Sequence, residues 1–175
     1  TKQFSSPINI AIPSGNFGNA YSAWFGRNNG LSINEIFCAS NVNDVLTRFI
    51  STGKLEPKET IPSVAPSMDI QIPSSLERLI YNFEGDSSSF YDQLQNEKIA
   101  KLSEESVVKL QNIFSSLSFN DEMILKEIDL FYKNYGWVID PHTATALSSS
   151  VTFSSTLPVV GVATACLLYT SPSPR

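Results

Sequence analysis

A short stretch rich in glycine and asparagine, residues 14–19, is the part of the sequence best suited to chemistry. It reads Ser-Gly-Asn-Phe-Gly-Asn and stands between an apolar segment and a helical pattern. Gly15 and Gly18 allow the backbone to approach a ligand closely, because they lack a Cβ atom. The helix that follows begins with unpaired N–H groups and the positive end of its dipole. The stretch therefore favours an anion pocket suited to a phosphate. Further side-chain donors are Ser14, Asn16 and Asn19.

The same six residues also fit an ordinary turn and helix cap, and their spacing alone does not decide between the two readings. They do not form a P-loop, because no Gly-Lys-Ser/Thr follows, and they do not match the GxGxxG pattern of dinucleotide-binding proteins. The stretch therefore indicates either an anion site or a purely structural turn.

The elements around this stretch predict an α/β fold, with a parallel sheet flanked by helices. Ile8 to Pro13 is predicted as a strand, 20–27 as a helix and 33–39 as a second strand. Strand, turn, helix and strand in this order form a βαβ unit with a right-handed crossover. The glycine stretch then lies where the first strand gives way to the first helix.

Further along the chain, helices at 45–51 and 74–83 are predicted on either side of a proline-rich, irregular excursion, 56–73. Apolar residues spaced by three and four predict helices from Ser103 to about Leu117 and after Asp121. We expect these two helices to pack as a hairpin in a helical insertion at about 86–136.

Two last elements complete the pattern. Asp140-Pro141 predicts the start of a helix that runs to about Ser148, because proline suits the first helical position. A final buried strand is predicted at 157–165.

Composition excludes several classes of function. The net charge is -5 and the basic residues are scattered, which argues against nucleic acid as a partner. The longest apolar stretch is too short to span a membrane. Two cysteines form neither a disulfide framework nor a zinc site, so no metal is expected. A cytoplasmic location is the expectation, with organellar import left open.

The stretch Pro-Ser-Gly-Asn-Phe-Gly-Asn resembles the cofactor-phosphate loop of the threonine synthase family, which consists of fold-type II pyridoxal enzymes. Residues 39–49 resemble the family's Ala-Thr-Asn-x-Asn-Asp segment. Residues 66–79 resemble its Ser-Pro-x-Met-Asp-Ile and Phe-Glu-Arg-Leu segments, and 139–144 resemble its Asp-Pro-His-Thr-Ala turn. The four motifs occur in the family's order, and the resemblance covers about residues 5–165.

This resemblance implies part of a two-domain enzyme with a tryptophan synthase β-like fold and pyridoxal 5′-phosphate as its cofactor. Thr164-Ala165 matches the start of the family's Thr-Ala-His-Pro-Ala-Lys-Phe segment, which implies that the Thr164 hydroxyl faces the pyridine nitrogen. A neutral hydroxyl leaves that nitrogen largely unprotonated, which reduces the capacity of the cofactor ring to act as an electron sink. The residues implied to hold the cofactor phosphate are Gly15, Asn16, Phe17, Gly18 and Asn19.

The activity implied by the family is the conversion of O-phospho-L-homoserine and water to L-threonine and phosphate. Two alternatives stay open, a related phospho-lyase and a non-catalytic binding or assembly module that keeps the fold. A substrate phosphate needs a cationic partner, and Arg48 is a candidate. The alternative for Arg48 is a salt bridge with a surface carboxylate.

The sequence departs from the family in two places. After Ala165 the expected His-Pro-Ala-Lys-Phe is absent, and 166–175 is interpreted as a non-native tail. The family's Schiff-base lysine lies in a Phe-Lys-Asp motif upstream of the phosphate loop, and no such motif occurs here. We therefore expect residues 1–165 to be a carboxy-terminal part, inactive without the amino-terminal half, with no catalytic residue and with surface lysines.

Four other polar or reactive residues are predicted to be structural. His142 is assigned to the start of a helix rather than to acid–base work, and Asp140 is assigned as that helix's N-cap. Asp69 is expected to anchor the proline-rich excursion, and Cys38 is expected to be a small core residue.

Overall fold

The structure is a computed structural model that describes residues 6–150 and 156–164. The predicted non-native tail, 166–175, lies outside these ranges, as do Lys2 and Ala165. In chain order, the elements are β1 (Ile8–Pro13), α1 (Gly18–Asn28), β2 (Ile33–Ser40), α2 (Val45–Thr52), β3 (Lys54–Leu55), α3 (Leu76–Glu84), α4 (Ser88–Glu97), β4 (Ala100–Lys101), α5 (Glu104–Gln111), β5 (Phe114–Ser118), α6 (Asp121–Tyr135), α7 (Pro141–Ser150) and β6 (Val159–Gly161), with a 3₁₀ turn at Pro66–Met68.

Four parallel strands form the central sheet in the order β5–β2–β1–β6. The predicted β1–α1–β2 unit is present, and the predicted α/β class with a parallel sheet is confirmed. A separate antiparallel pair joins β3 and β4. Because parallel strands all point the same way, the turns after β1 and β2 lie at the same edge of the sheet.

Alternate residues of β2 enter two different hydrophobic clusters. Ile36 and Cys38 belong to the larger one, whereas Phe37 and Ala39 belong to the other. This alternation follows from the two-residue period of a strand and shows that both faces of the sheet are covered. The first cluster contains the inner face of α1, with Ala20 and Trp24, and the second contains Ala144 of α7.

The predicted helix from Ser103 to Leu117 is wrong in its second half. The helix ends at Gln111, and Phe114–Ser118 is a strand that pairs with β2, with Cys38 opposite Ser116. The outer edge of β2 carries backbone groups that need partners, and this strand supplies them. The helical spacing of Phe114 after Leu110 is therefore coincidental, and the expected helical hairpin is replaced by two helices separated by a sheet strand.

Two further differences concern helices. Helix α4 (Ser88–Glu97) was not predicted as a separate element, because its polar sequence gave little periodic signal. Helix α6 is the second: its apolar stripe leaves Tyr132 55% exposed and Tyr135 67% exposed. The buried residue of α6 is Ile124, so this helix touches the core at its amino-terminal turn.

The last strand is shorter than predicted, because β6 spans only Val159–Gly161 within the described residues. Its pairing with β1 brings the following residues, through Thr164, to the edge of the sheet where the glycine-rich stretch lies. Of the helices that the structure describes, none is long and apolar enough to cross a membrane.

Candidate phosphate-binding site

The bend between β1 and α1 is held at three points. Ser14 N–H donates to the carbonyl of Ala39 at 2.9 Å, which continues the β1–β2 pairing. The carbonyl of Asn16 accepts a bond of 3.1 Å from the N–H of Ser75, and the carbonyl of Phe17 accepts one of 2.9 Å from Tyr21. The carbonyl groups of Asn16 and Phe17 are thus engaged with neighbouring backbone.

Phe17 adopts an unusual backbone conformation at the centre of this bend. Its φ is 70° and its ψ is 1°, in the left-handed region that non-glycine residues rarely enter. Such a conformation costs roughly 1–3 kcal/mol. The Phe17 side chain is only 1% exposed and lies 5.3 Å from the ring of Phe114. Burial of this ring offsets the strain and keeps the bend in place.

The N–H groups of the same bend differ from its carbonyls. Within residues 6–150 and 156–164, no acceptor is found for the backbone N–H groups of residues 15–19. Helix α1 begins at Gly18, has no side-chain cap and has no acidic residue in its first turn. The bend therefore combines free N–H donors with the positive end of a helix dipole, which is a favourable arrangement for an anion.

These N–H groups border a cleft of about 310 Å³. The structure thus brings Gly15, Asn16, Phe17, Gly18 and Asn19 together with Thr164, which is far away in sequence. None of the lining side chains is acidic, so no carboxylate opposes an anion there. The residues that line the cleft are Pro13, Ser14, Gly15, Asn16, Phe17, Gly18, Asn19, Ser67, Met68, His142 and Thr164.

The two glycines of the bend have different surroundings. A Cβ atom on Gly15 would lie 2.9 Å from the Cα of Met68, so the 3₁₀ turn leaves no room for a side chain. A Cβ atom on Gly18 would meet only the side chain of Ser75, whose Oγ would lie 3.4 Å away. Gly15 is therefore required by its close approach to the backbone of the turn, whereas Gly18 is not sterically required.

His142 lines the cleft and is 1% exposed. Its Nδ1 lies 3.1 Å from Oδ1 of Asp140, and its Nε2 accepts a bond of 3.2 Å from the N–H of Ser67. Oδ1 of Asp140 also accepts from the N–H groups of His142 and Thr143 at the start of α7. The predicted N-cap role of Asp140 is confirmed, and His142 lies at the start of α7, as predicted.

Asp69 fastens the proline-rich excursion to the turn after β2. Its Oδ1 accepts from the side-chain amides of Asn41, at 2.6 Å, and Asn43, at 3.0 Å, and from the hydroxyl of Ser63, at 2.6 Å. The anchoring role predicted for Asp69 is confirmed. This network fixes the segment that carries the 3₁₀ turn, and hence one wall of the cleft.

Arg48 does not line the cleft. Its Nε donates to Oδ1 of Asp44 at 2.9 Å, and its Nη1 donates to the carbonyl of Glu56 at 2.8 Å. These contacts correspond to the salt-bridge alternative. The Nη2 of Arg48 is buried and has no hydrogen-bond partner among the described residues, but it does not border the cleft.

Reactive groups outside the cleft offer little chemistry. Every lysine in the described ranges is exposed, as predicted. Cys38 is fully buried, and burial raises the pKa of its thiol. Among the described residues there is no cluster of side chains that could hold a metal ion.

Three lining residues, Ser67, Met68 and His142, escaped the sequence analysis as members of the site. Ser67 and Met68 belong to a motif that supported the family resemblance but was given no role in the site. His142 was assigned to a helix start. No spacing in the sequence signals that these residues meet the bend, since the contacts join segments about 50 to 125 residues apart.

No protein-family model matches the chain. Comparison with curated proteins does find relatives. The chain is 32% identical over 147 residues to threonine synthase from Pseudomonas aeruginosa, covering 82% of this chain and 31% of that protein. It is 36% identical over 149 residues to human threonine synthase-like 1, covering 82% of this chain and 20% of that protein. The chain thus spans about a third or less of these relatives.

Solved structures agree with the sequence comparison. The pyridoxal-phosphate-bound threonine synthase from Brucella melitensis superposes with a TM-score of 0.85 and 27% identity, covering 90% of this chain and 35% of that one. The yeast threonine synthase superposes with a TM-score of 0.81 and 25% identity, covering 87% and 34% respectively. By sequence and by fold, the chain belongs to the threonine synthase family of fold-type II enzymes, of which it represents one part.

Proposed function

We propose that this chain forms the phosphate-binding side of a threonine synthase active site, with pyridoxal 5′-phosphate as the cofactor. The N–H groups of Gly15, Asn16, Phe17, Gly18 and Asn19 hold the cofactor phosphate, and Thr164 faces the pyridine nitrogen. The observation that carries this proposal is the run of free N–H groups at the start of α1, facing a cleft that also contains Thr164.

The residues of the cleft fit such a group. A phosphate dianion needs several donors, and here the backbone provides them in a rigid bend without a competing carboxylate. Thr164 offers a neutral hydroxyl, which suits an unprotonated ring nitrogen. When bound, the cofactor supplies the electron sink for reactions at the substrate's α and β carbons.

For the complete enzyme we propose a carbon–oxygen lyase activity, which converts O-phospho-L-homoserine and water to L-threonine and phosphate. The relatives named threonine synthase support this activity. The described part of this chain holds no buried lysine that could serve as a proton carrier. We therefore propose that this chain alone binds the cofactor but turns over no substrate.

Cofactor binding by the purified chain tests the proposal directly. Pyridoxal 5′-phosphate should quench protein fluorescence saturably, and pyridoxal without the phosphate should bind at least about tenfold more weakly, because a charge-assisted hydrogen-bond set is lost. Equal binding of the two compounds would contradict the phosphate site. Release of threonine and phosphate from O-phosphohomoserine by this chain would contradict its proposed inactivity.

A further inference from the structure

The buried His142 connects two walls of the cleft, and the atoms involved determine its state. A backbone N–H can only donate, so Nε2 of His142 must carry a lone pair toward Ser67. The proton of a neutral imidazole then resides on Nδ1 and is donated to Oδ1 of Asp140. The geometry thus selects one neutral tautomer, held from both sides.

The bond from Ser67 matters because of where Ser67 lies. It belongs to the 3₁₀ turn Pro66–Met68, whose backbone packs directly against Gly15. The carbonyl of Ser67 would be 3.1 Å from a Cβ atom on Gly15. The position of this turn therefore limits the space open to Gly15, the first residue of the bend with a free N–H.

We propose that His142 is a positioning residue for the phosphate bend: through its bond to Ser67, it sets the 3₁₀ turn against Gly15 and so aims the bend's N–H groups into the cleft. This inference rests on the proposed function for the identity of the ligand. The contacts that join His142, the 3₁₀ turn and Gly15 do not depend on it. His142 does not contact the phosphate in this proposal.

The unsubstituted chain provides the first test, by nuclear magnetic resonance with ¹⁵N labelling. We expect a scalar coupling across the hydrogen bond between the Ser67 nitrogen and Nε2 of His142, and an Nε2 resonance typical of an unprotonated nitrogen. A protonated Nε2, or no coupling while Ser67 is otherwise resolved, would overturn the inference. This measurement needs neither a ligand nor a variant that folds.

The second test uses a matched pair of substitutions. Glutamine extends its amide oxygen to about the place of Nε2, so His142→Gln keeps an acceptor for Ser67. Asparagine is shorter and keeps only a donor toward Asp140. We expect hydrogen exchange at the Ser67 N–H to be about five- to tenfold faster in His142→Asn than in His142→Gln. This factor corresponds to the loss of one hydrogen bond. The Gly15 amide resonance should shift in the same variant.

Cofactor affinity separates this inference from the proposed function. Pyridoxal 5′-phosphate should bind about fivefold more weakly to His142→Asn than to His142→Gln, at matched helix content. If the unsubstituted chain does not bind the cofactor, the proposed function fails, while a selective response of Ser67 and Gly15 still supports positioning. If both variants change Ser67 and Gly15 equally, the positioning role is refuted, because general loss of packing then explains the effect.

Discussion

Two strand-to-helix turns lie beside each other at the same edge of the sheet, and they use their polar groups in opposite ways. The bend after β1 leaves the N–H groups of 15–19 without acceptors in the described part of the chain, and it borders the cleft. In the turn after β2, the N–H of Asn43 donates to Oδ1 of Asn41, and both side-chain amides donate to Asp69. One turn is open to a ligand, and the other is satisfied internally.

The difference follows from residue type rather than topology. Asn41 and Asn43 carry short side chains that bond to groups near them in space. Oδ1 of Asn41 accepts from the N–H of Asn43 within the turn, and the proline-rich excursion supplies the other acceptors, so this turn is satisfied within the protein. The bend has glycine at 15 and a buried phenylalanine at 17, and Asn16 directs its side-chain oxygen to Ser74. The same kind of βα connection is therefore satisfied by neighbouring groups in one place and leaves free N–H donors at a cleft in the other.

The largest expected effect comes from breaking the internally satisfied turn. Asp69→Ala should lower the free energy of unfolding by about 3 kcal/mol, because the buried amides of Asn41 and Asn43 lose a charged acceptor. Urea denaturation followed by circular dichroism measures this change. Asp44→Ala is the control, since its partly exposed pair with Arg48 should contribute only about 0.5 kcal/mol. Equal effects of the two substitutions would refute the role assigned to Asp69.

A methyl group in the open bend should have the next largest effect. Gly15→Ala forces a Cβ atom against the backbone at Met68. It should lower the free energy of unfolding by about 2 kcal/mol and weaken binding of pyridoxal 5′-phosphate at least about tenfold. Gly18→Ala meets only the side chain of Ser75 and should change both quantities much less. Thermal unfolding and fluorescence titration of both variants check this. The site assignment is wrong if Gly18→Ala is the more damaging change.

Removal of the Thr164 hydroxyl should have a smaller effect, limited to the ligand. Thr164→Val keeps the shape of the side chain but removes one hydrogen-bonding group, so affinity for pyridoxal 5′-phosphate should fall by about three- to fivefold. The free energy of unfolding should remain within about 0.5 kcal/mol of the original. Affinity for inorganic phosphate should not change. If affinity for inorganic phosphate and for pyridoxal 5′-phosphate falls equally, Thr164 does not contact the pyridine ring of the cofactor.

The smallest effect is expected at Arg48, outside the cleft. Arg48→Gln removes the ion pair with Asp44 and the bond to the Glu56 carbonyl, which should cost about 1 kcal/mol of stability. Affinity for pyridoxal 5′-phosphate should stay within about twofold. A large loss of affinity in a titration at fixed salt would restore Arg48 as an anion-binding residue.

Local sequence signals predicted the open bend well. The β1 strand, the glycine-asparagine stretch and α1 are adjacent in the chain, so periodicity and turn chemistry suffice to find them. The Asp140-Pro141 helix start was found for the same reason. The left-handed conformation of Phe17 has no such signal, because the ring's burial against Phe114 depends on tertiary packing.

Predictions failed where distant partners decide the structure. Phe114 continues the apolar spacing of α5, yet its backbone pairs with β2, which lies more than 70 residues earlier. The bonds of Asp69 to Asn41 and Asn43, and that of Ser67 to His142, also join segments far apart in sequence. These contacts form the cleft's walls, so the sequence locates the bend but not the site around it.

The central claim is that the N–H groups of 15–19 receive a phosphate, and an amide-resolved titration tests it most directly. Inorganic phosphate or pyridoxal 5′-phosphate, added to the ¹⁵N-labelled chain, should shift the amide resonances of residues 15–19 saturably and leave those of 41–44 in place. Equal shifts in both turns, or no saturable shift at 15–19, would contradict the account.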